Sequence, residues 1–227
     1  MISTSSYNNF KSDKFRTVSI SGNRGIDAGY IGECFPSLAP KKLFWKVWHT
    51  MKDVIPDEEN NKFYIEEYYK LVLSNLDPQD IFNKLDNSVL LCYEDNDEFC
   101  HRHIVAAWLE LLLDIDVPEV IASGYEITPT TKPNYIKDYL EKYMKRKINM
   151  HGFKSLRAAY IFEKSEKLEE KALQNPDKYD SYMQQASFLR SDADIAEDEY
   201  LDKIKQKKIL NKTLSWKKIF FMILSIW

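Results

Sequence analysis

Ser88-Val89-Leu90-Leu91-Cys92-Tyr93 narrows the fold more than any other segment. It is short, apolar on consecutive rather than alternate positions, and bounded by polar loops. That is the pattern of a strand buried on both faces, which parallel sheets contain. Parallel neighbours require long crossovers, and helices supply them. The surroundings agree. Ile2–Tyr7, Arg16–Ser21 and Val117–Ala122 read as strands. Lys42–His49 and Tyr64–Leu73 carry aromatic and aliphatic residues at three- and four-residue spacing, as amphipathic helices do. Asp77 and Pro78 have the chemistry of an N-cap and first helical position, and an apolar helix runs from about Phe99 to Leu113. The expected class is α/β: a mostly parallel sheet with helices on both faces.

A second region follows a break. Thr128-Pro129-Thr130-Thr131-Lys132-Pro133-Asn134 combines proline with β-branched residues, and both disfavour helix. The division read from the sequence is a body over 1–127, a linker over 128–134 and a helical extension over 135–227. In the extension, Tyr182, Ala186, Leu189, Ala193, Ala196, Tyr200 and Ile204 follow by three or four, and Leu156, Tyr160, Leu168 and Ala172 form a weaker stripe. Asn175-Pro176-Asp177 separates them, so a C-terminal α-helical hairpin is expected, packing on the body or on a second copy in a homo-oligomer. The last apolar run, Trp216–Trp227, is far shorter than the roughly 20 residues that span a bilayer. It reads as a buried or partner-docking helix rather than an interfacial anchor, so no transmembrane segment is expected.

Charge separates the same regions. Residues 1–133 hold 13 Lys/Arg against 21 Asp/Glu, and residues 134–227 hold 19 against 14. An acidic body with a basic arm suits intramolecular docking, nucleic acid or a membrane surface. The interspersed signs suit ordinary solvated helix faces better. Three cysteines without dense spacing point to a reducing compartment. Met1–Tyr7 has no basic patch followed by an apolar stretch, so no secretory signal is read and a cytoplasmic location is expected.

The chemistry concentrates after the buried strand, where Cys92-Tyr93-Glu94 is followed by Cys100-His101-Arg102-His103 at a helix start. A strand's carboxyl end opens a crevice, and a helix N-terminus attracts anions. Ser19-Ile20-Ser21 runs likewise into the loop Gly22-Asn23-Arg24-Gly25. These features, with Leu38-Ala39-Pro40 before a Trp-containing helix and Val105-Ala106 after the second motif, resemble the domain-of-unknown-function 488 (DUF488) family over about residues 1–125. The resemblance implies a compact α/β domain with the Cys-Glu…Cys-His-Arg loop as its signature. It implies no particular reaction.

The groups themselves allow several readings. Cys100 beside His101 and Arg102 at a helix start has the electropositive setting of a thiolate nucleophile. Arg102, Arg24, Ser21 and Asn23 would then hold an anionic group, with Glu94 or His101 moving a proton. Alternatively Glu94 is central, activating water or stabilising an oxocarbenium-like centre in N-glycosidic cleavage, or simply pairing with Arg102. Both enzymatic readings describe a hydrolase- or transferase-like protein acting on a small anionic, nucleotide-like or phosphate-bearing substrate without a cofactor. A zinc site from Cys92, Cys100, His101 and His103 is the alternative, although those side chains diverge once a helix begins. The non-catalytic alternative is a nucleotide or nucleic-acid binding module with a helical interaction arm.

Overall fold

The computed structural model describes residues 1–210 with their side chains, and the backbone of the last helix to Leu224. It forms two compact units, Met1–Lys147 and Ile148–Trp227.

The first unit is built on a seven-stranded sheet of β1 (Ser3–Ser6), β2 (Phe10–Lys11), β3 (Arg16–Ser19), β4 (Glu33–Cys34), β5 (Ser88–Cys92), β6 (Glu119–Ser123) and β7 (Glu126–Thr130). The order is β2-β6-β1-β5-β3-β4, and β7 pairs with β6. Every pairing is parallel except β6 with β7. As the apolar run requires, all five residues of β5 are buried, between β1 (Ser3 beside Val89) and β3 (Arg16 beside Ser88).

The unit's helices are α1 (Lys42–Met51), α2 (Asp57–Leu71), α3 (Pro78–Leu85), α4 (His101–Leu113) and α5 (Tyr135–Lys147). Asp77 caps α3 by accepting from the Asp80 amide at 3.0 Å, with Pro78 in the first turn. α4 is buried along almost its whole length because it packs on β1 and β5 and is itself covered by α2, α3 and α5. Val18, Leu90, Ile104, Val105, Trp108 and Leu109 are buried on this side of the core. On the sheet's other face, Val89, Leu91, Val120 and Ala122 pack with Tyr7 and Phe10, flanked by Phe15, Tyr30 and Tyr93.

The expected linker is corrected here. Glu126–Thr130 is a strand, with Pro129 opposite Val120 and Thr130 opposite Glu119. β7 pairs along one side only, so a proline without an N–H is tolerated there. α5 also belongs to the first unit, so the division falls after Lys147 rather than in 128–134.

The second unit is the expected hairpin: α6 (Leu156–Gln174) and α7 (Tyr179–Leu224), separated at Asn175-Pro176-Asp177. Small residues let the helices approach closely, with Ala158, Ala159, Ser165 and Ala172 buried on α6 and Ala186, Ala193 and Ala196 on α7. Ser155 caps α6 through the Ala158 amide, and Glu197 from α7 accepts from the Lys154 and Ser155 amides at 2.9–3.0 Å. The reading of Trp216–Trp227 as a buried or docking segment falls on side chains outside the described residues. Among the described residues, no helix is long and apolar enough to cross a membrane.

Candidate functional site

At the carboxyl ends of β3 and β5 the sheet opens into a cavity of about 650 Å³. Its reactive wall is Cys92, Glu94, Cys100 and His101; Trp45, Trp48, Tyr64, Tyr93 and Phe99 form aromatic walls. Ser21, Asn23, Asp27 and Lys42 add polar groups. The aromatic packing is continuous, with Tyr64 5.2 Å from Trp48 and 5.3 Å from Phe99 between ring centroids. Trp45 is 40% exposed and stacks on His49 with an interplanar angle of 5°.

The loop leaving β3 is fastened to the next wall. Tyr93 donates to Asn23 Oδ1 at 2.6 Å, the Gly25 amide donates to the same oxygen at 3.1 Å, and Tyr7 Oη lies 2.6 Å from Ser19 Oγ. Gly25 adopts φ +78°, and a Cβ there would lie 2.6 Å from Tyr7 Oη, so backbone sterics reserve the position for glycine.

Cys100 is the N-cap residue of α4 by backbone, but its thiol makes no capping bond. It lies 2.9 Å from Glu94 Oε2 and 3.8 Å from His101 Nδ1 instead. Cys92 approaches the same two atoms, at 3.3 Å and 3.6 Å. His101 donates from Nε2 to the Ile20 carbonyl at 3.0 Å. Burial pushes the Glu94 carboxyl up to about 7, and the charge of Cys100 adds to it. Burial also pushes the Cys92 thiol up. For Cys100 burial works in the same sense but loses: the hydrogen bond with Cys92 and the positive charges of Arg102 and His101 hold it well below an ordinary thiol. His101 is raised, because Cys100 and Glu94 outweigh the burial that opposes its charge.

The structure divides the residues singled out from the sequence. Glu94, Cys100, His101, Ser21 and Asn23 come together at the cavity. Arg24 does not line it: the side chain is exposed, on a backbone with φ 61°. Arg102 is corrected more fully. Its side chain is entirely buried away from the cavity, paired with Glu119 at 3.0 Å and donating to the Asp95 carbonyl at 2.9 Å. It neither clamps a cavity anion nor pairs with Glu94, because successive side chains on a helix point about 100° apart. His103 joins the same interior cluster, with Nε2 3.2 Å from Glu119 Oε2, so the four-residue zinc set reduces to Cys92, Cys100 and His101. Thr4 completes that cluster by donating to Glu119 at 2.6 Å.

Sequence reasoning missed Lys42, Asp27, Glu119 and the aromatic walls. Glu119 left one signal, a lone carboxylate opening an otherwise apolar strand, which demands a buried cation. For α1, Pro40, Lys42, Trp45 and Trp48 at turn-like spacing was the available hint.

Fold and site together define an α/β domain whose parallel sheet delivers a thiol, carboxylate and imidazole cluster to an aromatic cavity. The family likeness holds as well: residues 11–112 match DUF488-N3a, described as the active DUF488-N3 subclade, so this stretch is DUF488-like. The match ends within α4, before β6 with its Glu119. No curated protein and no solved structure matches the chain.

Proposed function

We propose that the cavity is the active site of a hydrolase- or transferase-like enzyme acting on a small, ring-bearing anionic ligand of nucleotide type, with Glu94 moving the proton. The observation that carries this is the convergence of Glu94, Cys92, Cys100 and His101 on one wall of an aromatic-lined cavity of about 650 Å³. Pockets of this size with few convergent polar groups suit small molecules. Tyr64, Trp48 and Phe99 suit the faces and edges of a planar ring, Lys42 suits one anionic group, and Ser21 and Asn23 suit hydrogen bonding. A carboxyl that loses its proton near neutrality suits transfer to a leaving group or from a water. The description of the matched subclade as active is in keeping with catalysis.

The aromatic walls alone would also serve a non-catalytic nucleotide-binding module, so the test measures binding and turnover separately. Wild-type chain and Glu94→Gln are offered a panel of nucleosides, nucleotides and phosphoesters, with tryptophan fluorescence reporting binding. The expected result is saturable quenching in both and turnover in wild type, reduced about 10²–10⁴-fold in the variant. Binding without turnover in wild type would make the protein a binding module. Equal turnover in the two proteins would remove Glu94 from the role.

A further inference from the structure

We propose that Cys92, Cys100 and His101 form a divalent metal site of the zinc type in the cavity wall, with its fourth position open beside Glu94. Three observations converge on it. The ligand atoms of the three residues all lie within 4.8 Å of one another, and all three side chains are buried. Their spacing is that of one coordination sphere. A tetrahedral zinc with Zn–S of about 2.3 Å and Zn–N of about 2.0–2.1 Å has S···N edges of roughly 3.6 Å, and the two thiols stand 3.6 Å and 3.8 Å from His101 Nδ1. The imidazole also holds the tautomer of a ligand. The Ile20 carbonyl can only accept, so Nε2 carries the hydrogen and Nδ1 keeps the free lone pair. Cys92 Sγ lies beside the ring, 3.6 Å from Nδ1 and 3.9 Å from Nε2, so a rotation of its side chain would bring it onto the Nδ1 axis. A histidine ligand whose other nitrogen donates to a backbone carbonyl is the usual outer arrangement of zinc sites.

The fold explains how distant positions meet. Cys92 ends β5, Cys100 and His101 begin α4, and Ile20 follows β3, so a strand end, a helix start and the neighbouring strand's exit close three sides. The fourth side faces the cavity. Two thiolates and an imidazole are the soft and borderline donors that zinc prefers to magnesium or calcium. Glu94 Oε2, 2.9 Å and 3.3 Å from the two sulfurs, borders that position and comes from a half-buried loop. Three protein ligands and an open position are the plan of a catalytic site rather than a closed structural one. A metal there would acidify a bound water, and Glu94 would accept its proton. That catalytic use rests on the function proposed above; the metal site itself rests on ligand geometry alone.

The experiment is metal analysis and cobalt substitution on the full chain. The protein is purified without chelator and its zinc content measured, then stripped and titrated with Co²⁺ while circular dichroism confirms the fold. The expected result is about one zinc per chain and, with Co²⁺, a thiolate-to-metal charge-transfer band with tetrahedral d–d absorption. The metal should also shield Cys92 and Cys100 from a thiol reagent while Cys34 still reacts. Cys34→Ser should keep the cobalt band and Cys92→Ser should lose it. Should Cys92→Ser fail to fold, the wild-type thiol count before and after stripping decides instead. A folded, stripped chain that takes up no Co²⁺, or binds it without a thiolate band, overturns the metal site. Metal binding without turnover of any substrate leaves the site standing and removes the catalytic reading. Turnover that persists in a chain unable to bind Co²⁺ does the reverse.

Discussion

Four consecutive residues, Cys100 to His103, supply two clusters of opposite character. Cys100 and His101 turn to the cavity, where Glu94 sits against thiols; Arg102 and His103 turn into the core, where Glu119 sits against a guanidinium, an imidazole and Thr4. Each cluster has one carboxylate withdrawn from water. Their charges nevertheless diverge, since Glu94 is pushed up to about 7 while Glu119, though burial opposes it, is held below the ordinary carboxylate range by His103 and Arg102. Burial sets the stakes in both places, and the neighbours decide the sign. The closed cluster fixes α4 to β6; the open one keeps its groups available at a cavity.

The largest effect should come from breaking the closed cluster. Glu119→Ala strands the Arg102 guanidinium, whose Nη1 already has no partner, inside the core. Losing one member of a buried pair costs about 3–5 kcal/mol. Urea unfolding should show that loss for Glu119→Ala, whereas Glu94→Gln should leave stability within about 0.5 kcal/mol of wild type or raise it, because a neutral amide suits a site that already disfavours charge. Equal destabilisation by both would dissolve the distinction between the clusters.

Turnover should reverse the ranking. Glu94→Gln is expected to lose about 10²–10⁴-fold in kcat at unchanged stability. A Glu119→Gln chain, where it folds, should keep kcat within about threefold, its cost being structural. Next in size is the aromatic wall: Trp45→Ala should weaken binding of a ring-bearing ligand by about 1–3 kcal/mol, the range of a stacked base. Half-exposed Trp45 should do so with little change in the unfolding midpoint. Calorimetric binding of a nucleotide to wild type and variant reads this directly, and unchanged affinity would place the ring elsewhere.

Much of this fold is legible in the sequence because its elements carry local chemistry: β5 its apolar run, α3 its Asp-Pro start, the hairpin its alanine stripes. β7 is hidden because Thr128-Pro129-Thr130 looks like a linker whether or not a neighbouring strand pairs with it, and only the β6 register shows that one does. The cluster of Cys92, Glu94, Cys100 and His101 could be located, since strand end and helix start meet there. Which way each side chain turns could not. Arg102 and His101 are adjacent in sequence and face different sites, and the partner that claims Arg102, Glu119, lies 17 residues on. The aromatic walls on α1 and α2 were legible only as amphipathic helices, because three- and four-residue spacing shows that a face is apolar and not whether a cavity interrupts it.

The smallest and sharpest contrast is in pH dependence, measured by denaturation of the metal-free chain from about pH 3 to pH 8. Glu119 has a folded pKa below its unfolded value. Its contribution is therefore present above the unfolded value of 4.5 and is lost as pH falls through the folded one. Glu110, held low by Lys132 and Lys137 against the opposing effect of burial, adds to the same acid limb. Glu94 works oppositely. With a folded pKa of about 7 against an ordinary 4.5, the native chain retains a proton that the unfolded chain has released, so its contribution is present below 4.5 and is lost as pH rises through 7. One proton sets a slope of at most about 1.4 kcal/mol per pH unit. Glu94→Gln should flatten the limb between 4.5 and 7 and leave the acid limb alone, while Glu119→Gln should weaken only the acid limb, with Glu110 keeping part of it. If Glu94→Gln moved the acid limb instead, Glu94 would be an ordinary paired carboxylate, and the two clusters would differ in place but not in kind.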